Sequence, residues 1–389
     1  MGENMATIEL KLSPTIIEWI ANKEGVTPGH LAELLTPKKP HKLLVGEVSK
    51  TVAEKLAKIA GIPFGYLFLD SPPEVEPIDI PDFRTTINSL ELSKDFFDTY
   101  RDVQYKIDWY KEYLKNSDLY VALPFVGQFS IKNTVHDVAK SISKEINLDV
   151  ESIIKTVNST SYFGVVTNLL ENAGILVFKN GLVGNNTHRR LDISEFRGFC
   201  IVDKYTPAVF VNGADAFSAQ VFTLFHEVAH IWIGKSGISD WDYNNKIESF
   251  CNKVAAEILM PTNLFRRLWD EDKKDIIEDV NVIFSMSKTF KMSTYAVAIK
   301  AKSIGLIDDL TFSKIRNASL NLGNDSKKGP SGGSILNTLP YRNSPKITDT
   351  ILFSAVTQRI PLREAGNLLN VKADTVMNLY KKRTFTNVK

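Results

Sequence analysis

Apolar side chains recur three or four positions apart along most of this chain, which is the spacing of one face of an α-helix. The clearest case is the run that contains Phe96, Tyr100, Val103, Ile107 and Tyr110. Where Gly or Pro residues bound such runs, they mark the helix ends. The pattern predicts helices over residues 14–24, 28–35, 52–59, 93–114, 138–146, 162–173, 215–234, 244–260, 351–356, 362–369 and 373–382.

A small sheet is predicted in the middle of the chain. Residues 175–178 are a short apolar run, and residues 198–203 and 208–211 flank the tight stretch 204–207, which favours a hairpin. The fold class is therefore α+β and mostly helical. Proline-punctuated residues 72–81 and the Gly- and Ser-rich residues 323–334 are typical of connecting segments.

Composition narrows the class of protein. The chain has 389 residues, a formal net charge of +2 and two cysteines, so a disulfide framework and a strongly charged partner for the whole chain are both disfavoured. No apolar run approaches the length of a membrane helix. A cytoplasmic protein without a membrane partner is expected. Charge is uneven, however, because residues 341–389 hold nine Lys or Arg against three acids.

The candidate chemistry lies in residues 222–230, Phe-Thr-Leu-Phe-His-Glu-Val-Ala-His. His226 and His230 are four positions apart, so on a helix both imidazoles lie on the same side and can bind one Zn²⁺, with Glu227 beside the metal as the base. The competing interpretation is a set of core polar residues, but burying three polar groups without partners is costly. The motif therefore favours a metal-dependent hydrolase.

A catalytic zinc needs a third protein ligand, and the helix over 244–260 offers one. Glu248 and Asn252 share a face of that helix, so Glu248 is assigned as the ligand and Asn252 as a group that orients a ligand histidine. Glu257 is the competitor, although it falls on the opposite face, and Cys251 stays open because it lies about 60° from Glu248.

These residues resemble the ImmA/IrrE family of zinc metallopeptidases, whose patterns are close to F-T-L-x-H-E-x-x-H and E-x-x-A-N-x-F-A-A-x-L-L-M-P. Here Cys251 replaces the usual Ala and Val254 the usual Phe. The resemblance extends to residues 62–69 and 81–85, which look like the end of an XRE-type helix-turn-helix, and to residues 339–343 and 363–372 near the C-terminus.

The resemblance implies four segments. They are an XRE-like helix-turn-helix module over 1–85, connecting helices over 86–150, a zincin-like metallopeptidase domain over 151–310, and a linker with a basic helical segment over 311–389. It further implies cleavage of a regulatory protein substrate, a transcriptional repressor or an antitoxin-like protein.

In such a peptidase, His226, His230 and Glu248 would hold Zn²⁺ while Glu227 takes a proton from the attacking water. The peptide is expected to align along an exposed edge strand, for which Ala208, Val209, Phe210 and Val211 are the candidates, although an ordinary internal strand fits these residues equally well. The oxyanion-stabilising residue is left open among His188, Arg189, Tyr243 and Tyr295.

DNA binding by the N-terminal module is the remaining question. Residues 1–70 carry eight basic and eight acidic residues, and two prolines interrupt the place where a recognition helix would fall. Lys38, Lys39 and Lys42 could still contact phosphates, but a protein-recognition or autoregulatory role is favoured. The alternative function for the whole chain is a helix-turn-helix transcriptional regulator with a structural or degenerate metal site.

Overall fold

The computed structural model describes residues 9–60, 62, 64–72, 92–235, 237–239, 246–322 and 334–386. The chain forms two compact units, residues 1–79 and 80–389. The connector expected over 72–81, the linker expected over 323–334 and the family-like residues 81–85 lie almost entirely outside the described residues. The four-segment division of the chain stays a prediction.

The N-terminal unit is built from short helices around a two-stranded ladder. In chain order it contains β1 (Glu9–Lys11), α1 (Pro14–Lys23), α2 (Pro28–Leu35), α3 (Pro40–Leu44), β2 (Glu47–Ser49), α4 (Lys50–Ala60) and a 3-10 helix (Phe64–Phe68). β1 and β2 are antiparallel. The three predicted helices are present, whereas the ladder was not predicted, because three residues are too few to show an alternating pattern.

Gly46 shows why this ladder closes. It leads into β2 with a φ of +86°, and a Cβ at this position would overlap the carbonyl oxygen of Leu12. The backbone N–H of Leu12 also donates to the carbonyl of Gly46, at 2.8 Å. Only glycine allows this approach without strain. A helix-turn-helix in this unit stays a prediction.

The larger unit is mostly helical, as expected. Before the sheet come α5 (Lys94–Asn116), α6 (Val135–Glu145), α7 (Val150–Thr156) and α8 (Ser159–Asn172). α9 (Phe217–Ile233) and α10 (Lys246–Leu259) follow the hairpin. The remaining helices are α11 (Thr262–Asp272), α12 (Asp279–Phe290), α13 (Thr294–Ser303), α14 (Asp309–Leu322), α15 (Ile335–Arg342), α16 (Pro345–Val356), α17 (Leu362–Leu368) and α18 (Ala373–Thr386). None of the described helices combines the length and apolar character that crossing a bilayer requires.

The sheet of this unit has the strand order β3-β5-β4-β6. Its strands are β3 (Leu176–Asn180), β4 (Gly198–Ile201), β5 (Ala208–Asn212) and β6 (Gly237–Ser239). The predicted hairpin of β4 and β5 is confirmed, and Asp203 closes its turn by accepting from the N–H groups of Tyr205 and Thr206.

The expected edge strand is wrong. Ala208, Val209, Phe210 and Val211 belong to β5, which pairs with β3 on one side and with β4 on the other, and all four residues are buried. Their continuous apolar sequence is that of a strand covered on both faces, and both of its hydrogen-bonding edges are already used. β5 therefore cannot receive a peptide.

Alternating side chains of the sheet enter two different cores. Val177, Cys200 and Val209 belong to the core that contains residues of α6 to α14. Leu176, Phe178, Phe199 and Phe210 belong to a second core, formed with α5 and with α15 to α18. The C-terminal helices therefore cover one face of the sheet, and the helices that carry the candidate site cover the other.

Glu171 joins these two regions through a buried carboxylate. Its side chain accepts hydrogen bonds from the Ser344 hydroxyl at 2.6 Å, from the Lys346 backbone N–H at 2.8 Å and from the Val177 backbone N–H at 3.3 Å. Burial raises the pKa of Glu171 to about 7, although these hydrogen bonds oppose the increase. The group thus takes up protons more readily in the folded chain than in the unfolded one.

The raised pKa predicts a pH-dependent stability. Because the folded pKa lies above the unfolded value of 4.5, the contribution of Glu171 is fully present below about pH 4.5 and is lost as the pH rises through 7. The loss is on the order of 3 kcal/mol. Glu171→Gln should remove this slope from urea unfolding free energies measured between pH 4.5 and 8.

The test compares the pH dependence of the unfolding free energy and not its absolute value. An amide at position 171 places a second donor against the N–H of Lys346 and so changes the absolute stability as well. Glu151→Gln is the matched control, since hydrogen bonds from Lys155 and Arg267 lower the pKa of that half-exposed glutamate and it stays ionised over this pH range. Equal slopes in wild type and Glu171→Gln would contradict the prediction.

Candidate metal centre

Two packed helices position the site. α9 is buried along nearly its whole length, and α10 packs against it. Cys251 and Ala255 of α10 are small and buried. α9 ends at Gly234, whose φ of +67° lets the backbone N–H of Lys235 return to the carbonyl of His230, at 3.1 Å. His226 and His230 lie one turn apart on α9, and Glu248 lies in the first turn of α10.

The three predicted ligand side chains converge. The Nε2 atoms of His226 and His230 are 3.1 Å apart. Glu248 Oε2 lies 3.0 Å from Nε2 of His226, and Oε1 lies 3.1 Å from Nε2 of His230. All three residues are buried, with at most 4% of their surface exposed. Among the described residues they form the group whose ligand atoms lie close enough together to hold one metal ion.

The hydrogen bonds at the Nδ1 atoms of the two imidazoles show that no proton lies between the Nε2 atoms and Glu248. Nδ1 of His226 lies 2.9 Å from Asn252 Oδ1, and Nδ1 of His230 lies 3.2 Å from the backbone carbonyl oxygen of Lys235. Both partners are acceptors, so the ring proton is on Nδ1 and each Nε2 carries a lone pair. Neither oxygen of Glu248 has a hydrogen-bond partner in the described structure.

Three lone-pair donors therefore face one another in a buried space with no proton between them. Two neutral imidazoles and one carboxylate are a donor set that Zn²⁺ takes in catalytic sites, and a cation would remove the cost of burying the carboxylate. The residues present thus fit a divalent metal. Their roles as ligands and the identity of the metal stay predictions.

The pKa shifts agree with this charge arrangement. Burial lowers the pKa of His230, which favours the neutral form that binds metals. Burial raises the pKa of Glu248, and hydrogen bonds from His226 and His230 lower it below its usual value only when an Nε2 atom carries a proton. With both ring protons on Nδ1, a bound cation would keep this carboxylate ionised instead.

Glu227 lies on the same helix, between the two histidines, and is fully buried. Burial raises its pKa well above the usual carboxyl value, the charge of Glu248 raises it further, and a hydrogen bond with the thiol of Cys200 opposes the change. A Cβ placed on Gly198 of β4 would come within 3.2 Å of Glu227 Oε1. The sheet thus approaches this carboxyl closely because position 198 has no side chain.

The two other ligand candidates on α10, Glu257 and Cys251, have surroundings that disfavour metal binding. Glu257 pairs with Lys300, with Glu257 Oε2 and Lys300 Nζ 2.5 Å apart, and it accepts from the Thr262 hydroxyl at 2.6 Å. Cys251 is fully buried, and burial raises the pKa of its thiol well above the usual value, which disfavours the thiolate a metal needs.

The oxyanion candidates are not brought to the site by any described contact. Arg189 forms ion pairs with Asp95 and Asp98 of α5. His188 is exposed, and the ring of Tyr295 packs 6.0 Å from that of Phe312. Tyr243 lies outside the described residues.

The lysines predicted to contact DNA lie in the N-terminal unit. Lys38 and Lys39 are exposed just before α3. Lys42 has its Nζ 2.8 Å from Glu9 Oε1, so its charge is paired.

Sequence reasoning missed three features of the site. Gly198 could have been noticed, because a glycine inside a strand pattern often marks a close approach of another element. Cys200 belongs to no recognised motif. Its Sγ nevertheless lies 3.8 Å from the carbonyl oxygen of Lys235, and its thiol forms a hydrogen bond with Glu227. The carbonyl of Lys235 gives no signal at all, since a backbone group is present at every position.

Comparison with known proteins agrees with this geometry. Residues 170–302 match a peptidase family model described as the IrrE N-terminal-like domain. The match begins in α8, ends in α13 and contains all residues of the cluster, so it supports a relation to the ImmA/IrrE family and a metallopeptidase-like function in general. A search of curated proteins gave no match to the chain, and neither did a search of solved structures.

The two acids of α10 give a direct test of the ligand set. Glu248→Gln should lose bound zinc after dialysis against metal-free buffer, because the buried site then lacks its negative charge. The control Glu257→Gln changes the same side chain nine positions away and should keep about one zinc per chain, as measured by atomic emission. Equal zinc content in both variants would contradict the assignment of Glu248.

Asn252 is expected to act through His226. Asn252→Ala should weaken zinc binding by about 10- to 100-fold in a competition titration with a chromophoric chelator, since it removes the acceptor that fixes the imidazole. Asn252→Asp restores an acceptor for the Nδ1 proton and should recover most of the affinity. An alanine variant with wild-type affinity would exclude this role.

Proposed function

We propose that this chain is a zinc-dependent endopeptidase in which His226, His230 and Glu248 hold Zn²⁺ and Glu227 is the general base. The observation that carries the proposal is the convergence of two Nε2 atoms and a buried carboxyl group, with the buried Glu227 on the same helix as the two histidines. The peptidase family match over residues 170–302 supports the reaction class independently of this geometry.

The bound metal would supply Lewis-acid chemistry, lowering the pKa of a water molecule and polarising the scissile carbonyl. Glu227 accepts the proton of the attacking water at its carboxylate and later delivers that proton to the leaving amine. Its burial suits this exchange, because a raised pKa makes the carboxylate a stronger proton acceptor.

Two acceptors keep the imidazoles in position during this exchange. Asn252 holds the Nδ1 proton of His226, and the carbonyl of Lys235 holds that of His230. Each bond fixes the ring orientation and leaves Nε2 directed toward Glu248. The left-handed turn at Gly234 brings the carbonyl of Lys235 to this place.

A peptide would align along β6 in place of β5. β6 is the outermost strand on the β4 side among the described residues, and it pairs with β4 at Gly198, the residue that approaches Glu227. Adding a strand to an exposed edge uses backbone hydrogen bonds and so accepts many side chains. The resemblance to the ImmA/IrrE family supports a regulatory protein, a repressor or an antitoxin-like protein, as the substrate.

A purely structural metal site is less consistent with these residues. A structural zinc is usually closed by four protein ligands, whereas the cluster found among the described residues supplies three. A structural role also leaves the buried acid at position 227 without a purpose.

Glu227→Gln separates metal binding from catalysis. The variant should retain about one zinc per chain, since Glu227 is not in the ligand group, and it should lose proteolysis by at least about 100-fold, because general acid–base catalysis contributes that much or more. The measurement compares new protein N-termini, by mass spectrometry, in cells that express wild type or Glu227→Gln at equal levels.

Under this proposal, cleavage of a regulatory protein appears with wild type alone. Glu151→Gln, which changes a half-exposed glutamate of α7 outside the metal cluster, is the matched control and should cleave like wild type. The same set of N-termini in wild type and Glu227→Gln would rule the proposal out.

A further inference from the structure

The last three helices of the chain form a compact group of their own. α16, α17 and α18 each contact the other two. Their inward side chains are apolar and buried, namely Ile347, Ile351, Leu352, Ala355, Ala365, Leu368, Val376 and Leu379. This segment lies beyond residues 170–302, so the peptidase family match does not account for it.

The connection between α17 and α18 is a tight turn with strict backbone requirements. Asn370 has a φ of +56°, in the left-handed region that asparagine adopts more readily than most residues. Four residues earlier, a Cβ on Gly366 would come within 2.7 Å of the carbonyl oxygen of Val371. The small residue lets the turn fold back on α17 and fixes the direction of α18. Two helices joined by such a short turn are the form of a helix-turn-helix.

The outer face of α18 is polar and exposed. Asp374, Asn378 and Lys381 are spaced by four and three positions, so they share one face of the helix, and all three are exposed. Amide, ammonium and carboxylate groups are the side-chain groups that read base edges in the major groove, which is wide enough to admit an α-helix. An apolar partner surface would find no matching apolar stripe on this face.

Basic side chains surround that face. Arg359, Arg363, Lys372 and Lys381 are exposed, and none of the four forms an ion pair within the described part of the chain. Residues 345–386 contain seven Lys or Arg and three acids, and one of these acids, Asp349, pairs with Arg383. The whole chain carries a net charge of only +2, so this segment holds an excess of positive charge.

The N-terminal unit is a weaker candidate for the same activity. α3 has five residues and begins with a proline. Lys42, the one predicted phosphate contact on that helix, is paired with Glu9. α18 has 14 residues, about 21 Å of helix.

We propose that residues 345–386 form a DNA-binding helix-turn-helix, with α18 in the major groove of double-stranded DNA. Asp374, Asn378 and Lys381 face the base edges, and Arg363 and Lys372 contact phosphates. This activity is additional to the proposed peptidase function and does not depend on it, because none of these residues belongs to the metal cluster.

The experiment uses the full chain and a fluorescein-labelled duplex of about 25 base pairs with random sequence, followed by anisotropy between 25 and 200 mM salt. The variant Arg363→Glu/Lys372→Glu/Lys381→Glu should bind at least about tenfold more weakly than wild type. Its log Kd should depend less steeply on log salt, by about 0.9 for each phosphate that the variant no longer neutralises.

The control Lys132→Glu/Lys140→Glu/Lys144→Glu changes the net charge equally at three exposed lysines in or just before α6, and it should bind like wild type. The triple alanine variant of Arg363, Lys372 and Lys381 removes the same charges without introducing acids, so it is less prone to misfold, and it should also weaken DNA binding. Zinc content and circular dichroism verify that each variant is folded.

Several results would overturn the proposal. The first two are absence of salt-dependent duplex binding by wild type and an equal loss of binding in the variant Arg363→Glu/Lys372→Glu/Lys381→Glu and in its α6 control. The other two are a loss of binding in Lys38→Glu/Lys39→Glu but not in the variant of Arg363, Lys372 and Lys381, and tighter binding of wild type to a single-stranded RNA of the same length. Failure of the peptidase assay would leave these outcomes unchanged, so the two proposals fail separately.

Discussion

The site depends on one electrostatic constraint: the Glu248 carboxylate lies buried against two imidazoles whose only ring protons point away from it. Asn252 and the carbonyl of Lys235 take those protons, so nothing within the described cluster neutralises the carboxylate except a cation. The packing of α9 on α10 that forces this proximity therefore also supports the proposed metal site. The positions of Glu227, Gly198 and Cys200 follow from the same contact between helices and sheet.

The sheet carries this arrangement because both of its faces are covered. The face with Val177 and Val209 joins the core built from α6 to α14, in which α8 and α9 contact the strands, and the face with Phe178 and Phe210 joins the core of α5 and the C-terminal helices. The C-terminal segment thus completes the core of the unit and at the same time presents the polar face of α18 outward. Glu171 ties that segment to α8 through Ser344 and Lys346. One part of the chain can in this way combine a structural role with a binding role.

Local patterns predicted eleven of the described helices, including the 8-residue helix Pro28–Leu35 and the α9 stop at Gly234, because caps and periodicity act within one or two turns. The helices α3, α7 and α11 to α15 were not predicted. Local patterns also failed at the edge strand. The apolar run of Ala208 to Val211 is the same whether a strand lies at the edge or inside a sheet, and only its parallel pairing with β3, more than 30 positions away, decides the matter.

The sequence by itself determined that His226, Glu227 and His230 lie on one helix and that Glu248 and Asn252 share a face of another, since the helical repeat fixes those relations locally. Only the tertiary structure decided that Glu248 and not Glu257 meets the histidines, that the Lys235 carbonyl orients one of them, and that β5 is closed to a peptide. Those outcomes depend on which elements pack together, and packing is set by contacts between residues far apart in the chain, which no local pattern records.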